Sequence, residues 1–169
     1  MATALFISRT DLVKNTIIDG NVDTDHFIQF IKLAQKIHIR NYLGSKLYDK
    51  ISIDIIGANG AALTGAYLTL VNDYVQDMLI HYAMVDYLPF AAYKIKSGGV
   101  FKHQSENSVS VSKSEIDYLV NKEREFAEYY TRRMIEYVTY NISSFPEYTS
   151  NNNEDVYPDK DSLFNGWVL

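Results

Sequence analysis

The chain has 169 residues, of which 47% are hydrophobic and 22% charged, and a net charge of −5. That length suffices to bury roughly 70% of the unfolded surface in one soluble domain. The lack of cysteine excludes disulfides and thiolate metal sites. The lack of a basic stripe excludes tight direct binding to nucleic acid.

Met1 to Ile7 is apolar but is cut short by Ser8, Arg9 and Asp11, so no signal peptide is expected. Ser8-Arg9-Thr10-Asp11 reads as a capping box, with Asp in the usual Glu position, opening a short helix to about Ile18. Asp19-Gly20-Asn21 breaks it. Asp23 or Thr24 caps a second helix, in which Phe27, Phe30 or Ile31, Ala34, Ile37 or His38, and Ile39 recur at helical spacing. Gly44 stands where a helix wants a left-handed terminal residue, and Ser45 can cap the next segment. That segment, Lys46 to Ile56, has Leu47, Ile51 and Ile55 on one face, and Gly57-Ala58-Asn59-Gly60 is a turn.

A long helix is expected from about Ala66 to Lys96, kinked at Pro89. Its buried stripe runs through Leu70 or Val71, Tyr74 or Val75, Met78, Tyr82, Val85, and Leu88 or Pro89. The apolar stretch Met78 to Tyr93 within it holds His81, Asp86 and Pro89, which argues against a bilayer span. Ser97-Gly98-Gly99 ends the helix, and Val100 to Val111 reads as a small hairpin or ordered loop with a polar tip. Ser112-Lys113-Ser114-Glu115 is a capping box for a last helix to about Asn141. Its expected inner face is Ile116, Leu119 or Val120, Phe126, Tyr130, Met134, and Tyr137 or Val138. The fold class is therefore all-α: a helical bundle with two long helices, a hairpin or loop near 100–111 and an extended C-terminal tail.

Two segments follow from this reading, a helical domain over 1–142 and a tail over 143–169. The tail carries −4 of the −5 net charge, leaving the body near neutral. Phe145, Tyr148, Tyr157, Phe164 and Trp167 stand in it among Ser, Asn, Asp and Pro, and the chain closes on Val168-Leu169. A solvated tail ordinarily lacks such rings. Phe145, Tyr148, Tyr157, Phe164, Trp167 and Leu169 are therefore expected to anchor the tail on another chain; the alternative is that the tail folds back over its own body. Phe101, Lys102, His103 and Val109 are expected to contact a neighbouring subunit or partner through the hairpin.

Catalytic signatures are missing: there is no phosphate-cradling glycine loop, nucleophile elbow or His-x-x-x-His pair. Asp73, Asp77 and His81 share a helix face and with further ligands suit a divalent metal, although such a line is more often a solvated face. His26, His38 and His103 share no pattern. No enzyme, cofactor or metal is expected. Fourteen tyrosines are conspicuous. Most suit half-buried helix contacts, whereas Tyr129 and Tyr140 lie off the inner stripe and suit contacts between chains.

The order of elements resembles the head–tail adaptor, or connector, proteins of tailed bacteriophages. The matching residues are Leu5-Phe6-Ile7-Ser8 with Asp11-Leu12, then Ala34-Gln35-Lys36-Ile37-His38-Ile39 running into Tyr42-Leu43-Gly44-Ser45-Lys46-Leu47-Tyr48. Gly98-Gly99-Val100, a polar loop, the Ser-x-x-Glu opening and Ala127-Glu128-Tyr129-Tyr130 complete the match. The Tyr- and Asn-rich flavour is most similar to neck-ring proteins of crAss-like phages. The resemblance implies a structural virion protein, assembled in the host cytoplasm, that forms a dodecameric ring between the portal and further neck or tail proteins. Genomic DNA then passes through the lumen without specific binding. From another class, the same residues admit a helical module outside the virion that docks through its C-terminal tail.

Overall fold

The computed structural model describes residues 4–16, 24–57, 63–91, 93–96, 99–102, 112–150 and 156–161. Both capping boxes form. Ser8 accepts from the Asp11 amide while the Asp11 carboxylate takes the Ser8 amide at 2.9 Å, opening α1 (Arg9–Asn15). The Ser8 hydrogen bonds hold the Asp11 carboxyl below its ordinary range. Ser112 and Glu115 repeat the arrangement at the head of α6 (Lys113–Tyr140).

Between them run α2 (Thr24–Ala34), which continues through a π-helical turn at Gln35–Ile39 into α3 (Arg40–Gly57), and α4 (Gly65–Leu70). A second π-helical turn, Val71–Val75, joins α4 to α5 (Gln76–Tyr87), which ends in a 3₁₀ turn at Leu88–Phe90. The strands β1 (Tyr93–Lys96) and β2 (Gly99–Lys102) form one antiparallel hairpin. A 3₁₀ turn at Ile142–Ser144 and the short α7 (Pro146–Thr149) follow α6.

α5 is the axis of the bundle, packed between α2 on one side and α6 on the other. Its buried residues, Met78, Leu79, Ile80, Tyr82, Ala83 and Met84, face both neighbours, as a helix that is apolar on more than one side requires. α6 covers one side only, through Ala127, Thr131, Met134 and Val138. The N-terminal segment is fixed by side-chain amides that imitate backbone. Gln35 Oε1 accepts from the Phe6 amide (2.9 Å), Gln35 Nε2 donates to the Ala4 carbonyl (3.0 Å), and Gln76 Nε2 donates to the Phe6 carbonyl (3.1 Å). Each such bond spares a backbone group the cost of burial without a partner.

The bundle of two long helices matches the expected fold class, with three corrections. The long helix stops at Phe90 instead of Lys96: Pro89 removes a donor and ends the helix in a 3₁₀ turn instead of kinking it. A hairpin begins earlier than expected, at Tyr93, and residues 103–111 of the expected loop lie outside the described residues. Tyr93-Lys94-Ile95-Lys96 alternates with period two and pairs with Gly99–Lys102, Lys96 opposite Gly99 and Tyr93 opposite Lys102. Phe126 is exposed, and Ala127 takes the inner position, because the buried stripe steps by four, three and four residues from Ala127 to Val138.

Candidate functional site

The tail is the first surprise. Residues 143–150 and 156–161 lie on the chain's own body instead of leaving it. Pro146 starts α7 at a position that needs no amide donor, and the three-residue step from Phe145 to Tyr148 turns both rings inward. Both are fully buried. Phe145 meets the rings of Tyr67 (5.3 Å, edge-on) and Tyr137 (6.0 Å), and the Tyr67 hydroxyl donates to Glu147 Oε2 at 2.7 Å. Burial first, and the Glu147 carboxylate second, push the Tyr67 phenol up to about 12; burial and Asp159 push Tyr148 up to about 12. Phe145 and Tyr148 are thus core residues of this chain, which corrects their assignment as anchors for a partner. Tyr157 does project outward. Phe164, Trp167 and Leu169 lie outside the described residues.

The second tail piece closes a break in α3. Gly44 (φ 73°, ψ 160°) adopts a conformation that is essentially restricted to glycine, and the helix is interrupted there. A regular helix would join the Ser45 amide to the Asn41 carbonyl; the tail supplies both missing partners. Ser45 N donates to the Val156 carbonyl (3.0 Å), and Asp159 N donates to the Asn41 carbonyl (3.0 Å). Val156 N donates to Ser45 Oγ (3.0 Å), Asn41 Nδ2 donates to Asp159 Oδ2 (3.3 Å), and Lys46 Nζ donates to the Ser150 carbonyl (2.7 Å). Pro158 is buried directly over Gly44: a Cβ at position 44 would stand 2.6 Å from Pro158 Cγ. The strap is held on a notch that exists because residue 44 is glycine.

The titratable residues join helices together. His81 Nδ1 lies 2.7 Å from Glu123 Oε2 across α5 and α6, and its ring stacks on Tyr130 at 5.3 Å. Asp77 is half-buried, and burial pushes its carboxyl up. Among the described residues no group of three or more His, Asp or Glu side chains is arranged to hold a metal ion, so Asp73, Asp77 and His81 do not make one. His38 is buried, stacked on Tyr82 at 4.0 Å, with Nε2 3.6 Å from Asp86 Oδ2. The side chain of His26 and all of His103 lie outside the described residues.

Several aromatic rings remain exposed. At one end of the bundle Phe30 packs on Tyr87 (5.4 Å) and Phe90 (5.8 Å), and exposed Phe90 and Tyr93 carry this patch onto the start of the hairpin. β1 and β2 pair with each other and touch the helices only marginally. Phe101 and Lys102 lie on β2, opposite Lys94 and Tyr93; Val109 lies outside the described residues. The early start of the hairpin was readable from the alternation at Tyr93–Lys96, a signal the longer helical pattern overrode. Along α6, Tyr118, Tyr129 and Tyr140 are 61%, 53% and 90% exposed, so Tyr129 and Tyr140 lie off the inner stripe as expected. No helix among the described residues is long and apolar enough to cross a membrane.

The model of a protein family of unknown function, DUF6712, matches residues 39–158, more than two thirds of the chain. The match begins just before the Asn41–Ser45 notch and runs to the proline seated on it. No curated protein and no solved structure matches the chain.

Proposed function

We propose, for a chain that belongs to the DUF6712 family, a structural role in a virion: a subunit of the ring that joins the portal of a tailed-phage head to the neck or tail and lets DNA pass through its lumen. The observation that carries this reading is the hairpin. A two-stranded hairpin is marginal by itself, and this one pairs with no third strand among the described residues and has an aromatic patch at its base. An arm of that kind gains its stability from a neighbour, and a ring supplies one to every subunit by the same head-to-tail contact. The near-neutral body is compatible with a lumen that does not retain phosphates. Glu123 is unsuited to be a lumen residue, since it is half-buried against His81. The resemblance to connector proteins supplies the portal and further neck proteins as partners.

Light scattering and negative-stain microscopy of the purified full chain, alone and mixed with its portal, test the proposal. Rings are expected. Replacing residues 94–101 with a short Gly-Ser link is expected to leave helicity unchanged and abolish the rings. A chain that stays monomeric at high concentration and ignores the portal refutes the ring, and one that then binds a soluble host protein is the docking module instead.

A further inference from the structure

The outer face of α6 carries a repeat of eleven residues. Tyr118, Tyr129 and Tyr140 are spaced by eleven; so are Lys122 and Arg133, and Glu125 and Glu136. Eleven residues make three helical turns at 3.67 per turn, so these positions keep almost to a straight line along the helix. At 1.5 Å per residue the tyrosines stand about 16 Å apart and the line runs about 33 Å. It lies opposite the buried stripe of Ala127, Thr131, Met134 and Val138, and its side chains face solvent. Within the helix, Lys122 Nζ reaches Glu125 Oε2 (2.7 Å) and Arg133 Nη1 reaches Glu136 Oε2 (3.0 Å). Exposed pairs of this kind contribute little to stability, so folding does not account for the pattern.

We propose that this face is a self-complementary seam on which a second copy of the chain docks antiparallel, with the twofold axis at Tyr129. Turning one α6 end for end about Tyr129 brings Lys122 opposite Glu136 of the second copy, each seven residues from the axis. Glu125 comes opposite Arg133, four residues from it, and Tyr118 opposite Tyr140. Every charge on the line meets its opposite, and by the symmetry each contact occurs twice. A parallel in-register pairing would set Lys122 on Lys122 and Glu125 on Glu125, which is repulsive. A helix about 10 Å wide and 33 Å long offers a footprint of roughly 330 Å², well below the roughly 800 Å² per partner of standard stable complexes. The seam is accordingly weak and weakened further by salt. It does not rest on the ring reading: a ring grows by head-to-tail contacts, whereas this contact is isologous and pairs copies from outside one ring.

The cysteine-free chain permits a direct test in the full-length protein. Under mild oxidation, Tyr129→Cys is expected to give a disulfide-linked dimer. Tyr118→Cys alone is expected to give no more dimer than a control at exposed Gln29 (Gln29→Cys). An equimolar mixture of Tyr118→Cys and Tyr140→Cys is expected to give the mixed dimer. In the Tyr129→Cys background, Lys122→Glu is expected to lower the dimer yield roughly tenfold, and adding Glu136→Lys to restore it. Dimer from Tyr118→Cys alone as readily as from Tyr129→Cys overturns the antiparallel register. Yields at position 129 no higher than at Gln29→Cys overturn the seam itself.

Discussion

Gly44→Ala probes the notch most directly. The substitution forces a Cβ into a backbone conformation that costs about 1–3 kcal/mol for a non-glycine residue. It also sets that Cβ 2.6 Å from Pro158 Cγ and 2.7 Å from Cδ, so the strap has to move. Moving it gives up the Ser45–Val156 and Asn41–Asp159 backbone bonds, each worth about 1 kcal/mol net. The total is roughly 3–5 kcal/mol, or about 10 °C in Tm for a chain of this size. In a Pro158→Ala background the ring is already gone, so Gly44→Ala is expected to cost only its backbone strain. The double-mutant cycle, measured by urea denaturation, should return a coupling of about 1–2 kcal/mol. Strictly additive substitutions, or a Gly44→Ala cost below about 1 kcal/mol, would refute the idea that the strap is seated on residue 44.

The other predictions concern the tail's core residues and the N-terminal segment. Phe145→Ala is expected to cost about 3–5 kcal/mol, and Tyr157→Ala less than about 0.5 kcal/mol; equal effects in denaturant titrations would return the tail to a partner-binding role. The Tyr148 hydroxyl is buried with no hydrogen-bond partner among the described residues, so Tyr148→Phe should be neutral or slightly stabilising at pH 7. Tyr67 and Tyr148 have folded pKa values raised to about 12, so their ionisation leaves stability unchanged below pH 10 and lowers it as pH rises from 10 to 12. Thermal midpoints across that window should fall, and should fall less in a Tyr67→Phe, Tyr148→Phe double variant. Gln35→Leu leaves the Phe6 amide and the Ala4 carbonyl without their partners. It should cost about 2–5 kcal/mol and speed hydrogen exchange at the Phe6 amide; protection equal to the parent chain would show that water or another group replaces the amide.

Much of the helical frame was legible because it is written in local chemistry. A capping box places its own donors and acceptors within four residues, so Ser8–Asp11 and Ser112–Glu115 open helices whatever surrounds them. Gly44 announced a helix break for the same reason, since no other residue adopts its conformation without strain. The outward placement of Tyr129 and Tyr140 followed from helical period alone. The hairpin was misplaced because Tyr93–Lys96 satisfies two periods over so short a run, and Pro89 decided between them by ending the helix. The fate of the tail was beyond local chemistry altogether. Composition showed that Phe145 and Tyr148 need a dry surface, but any apolar surface meets that need. Only the tertiary structure places Tyr67 beside Phe145 and sets Val156 and Asp159 against the Ser45 amide and the Asn41 carbonyl, because these contacts join residues some 78 to 118 positions apart in the chain.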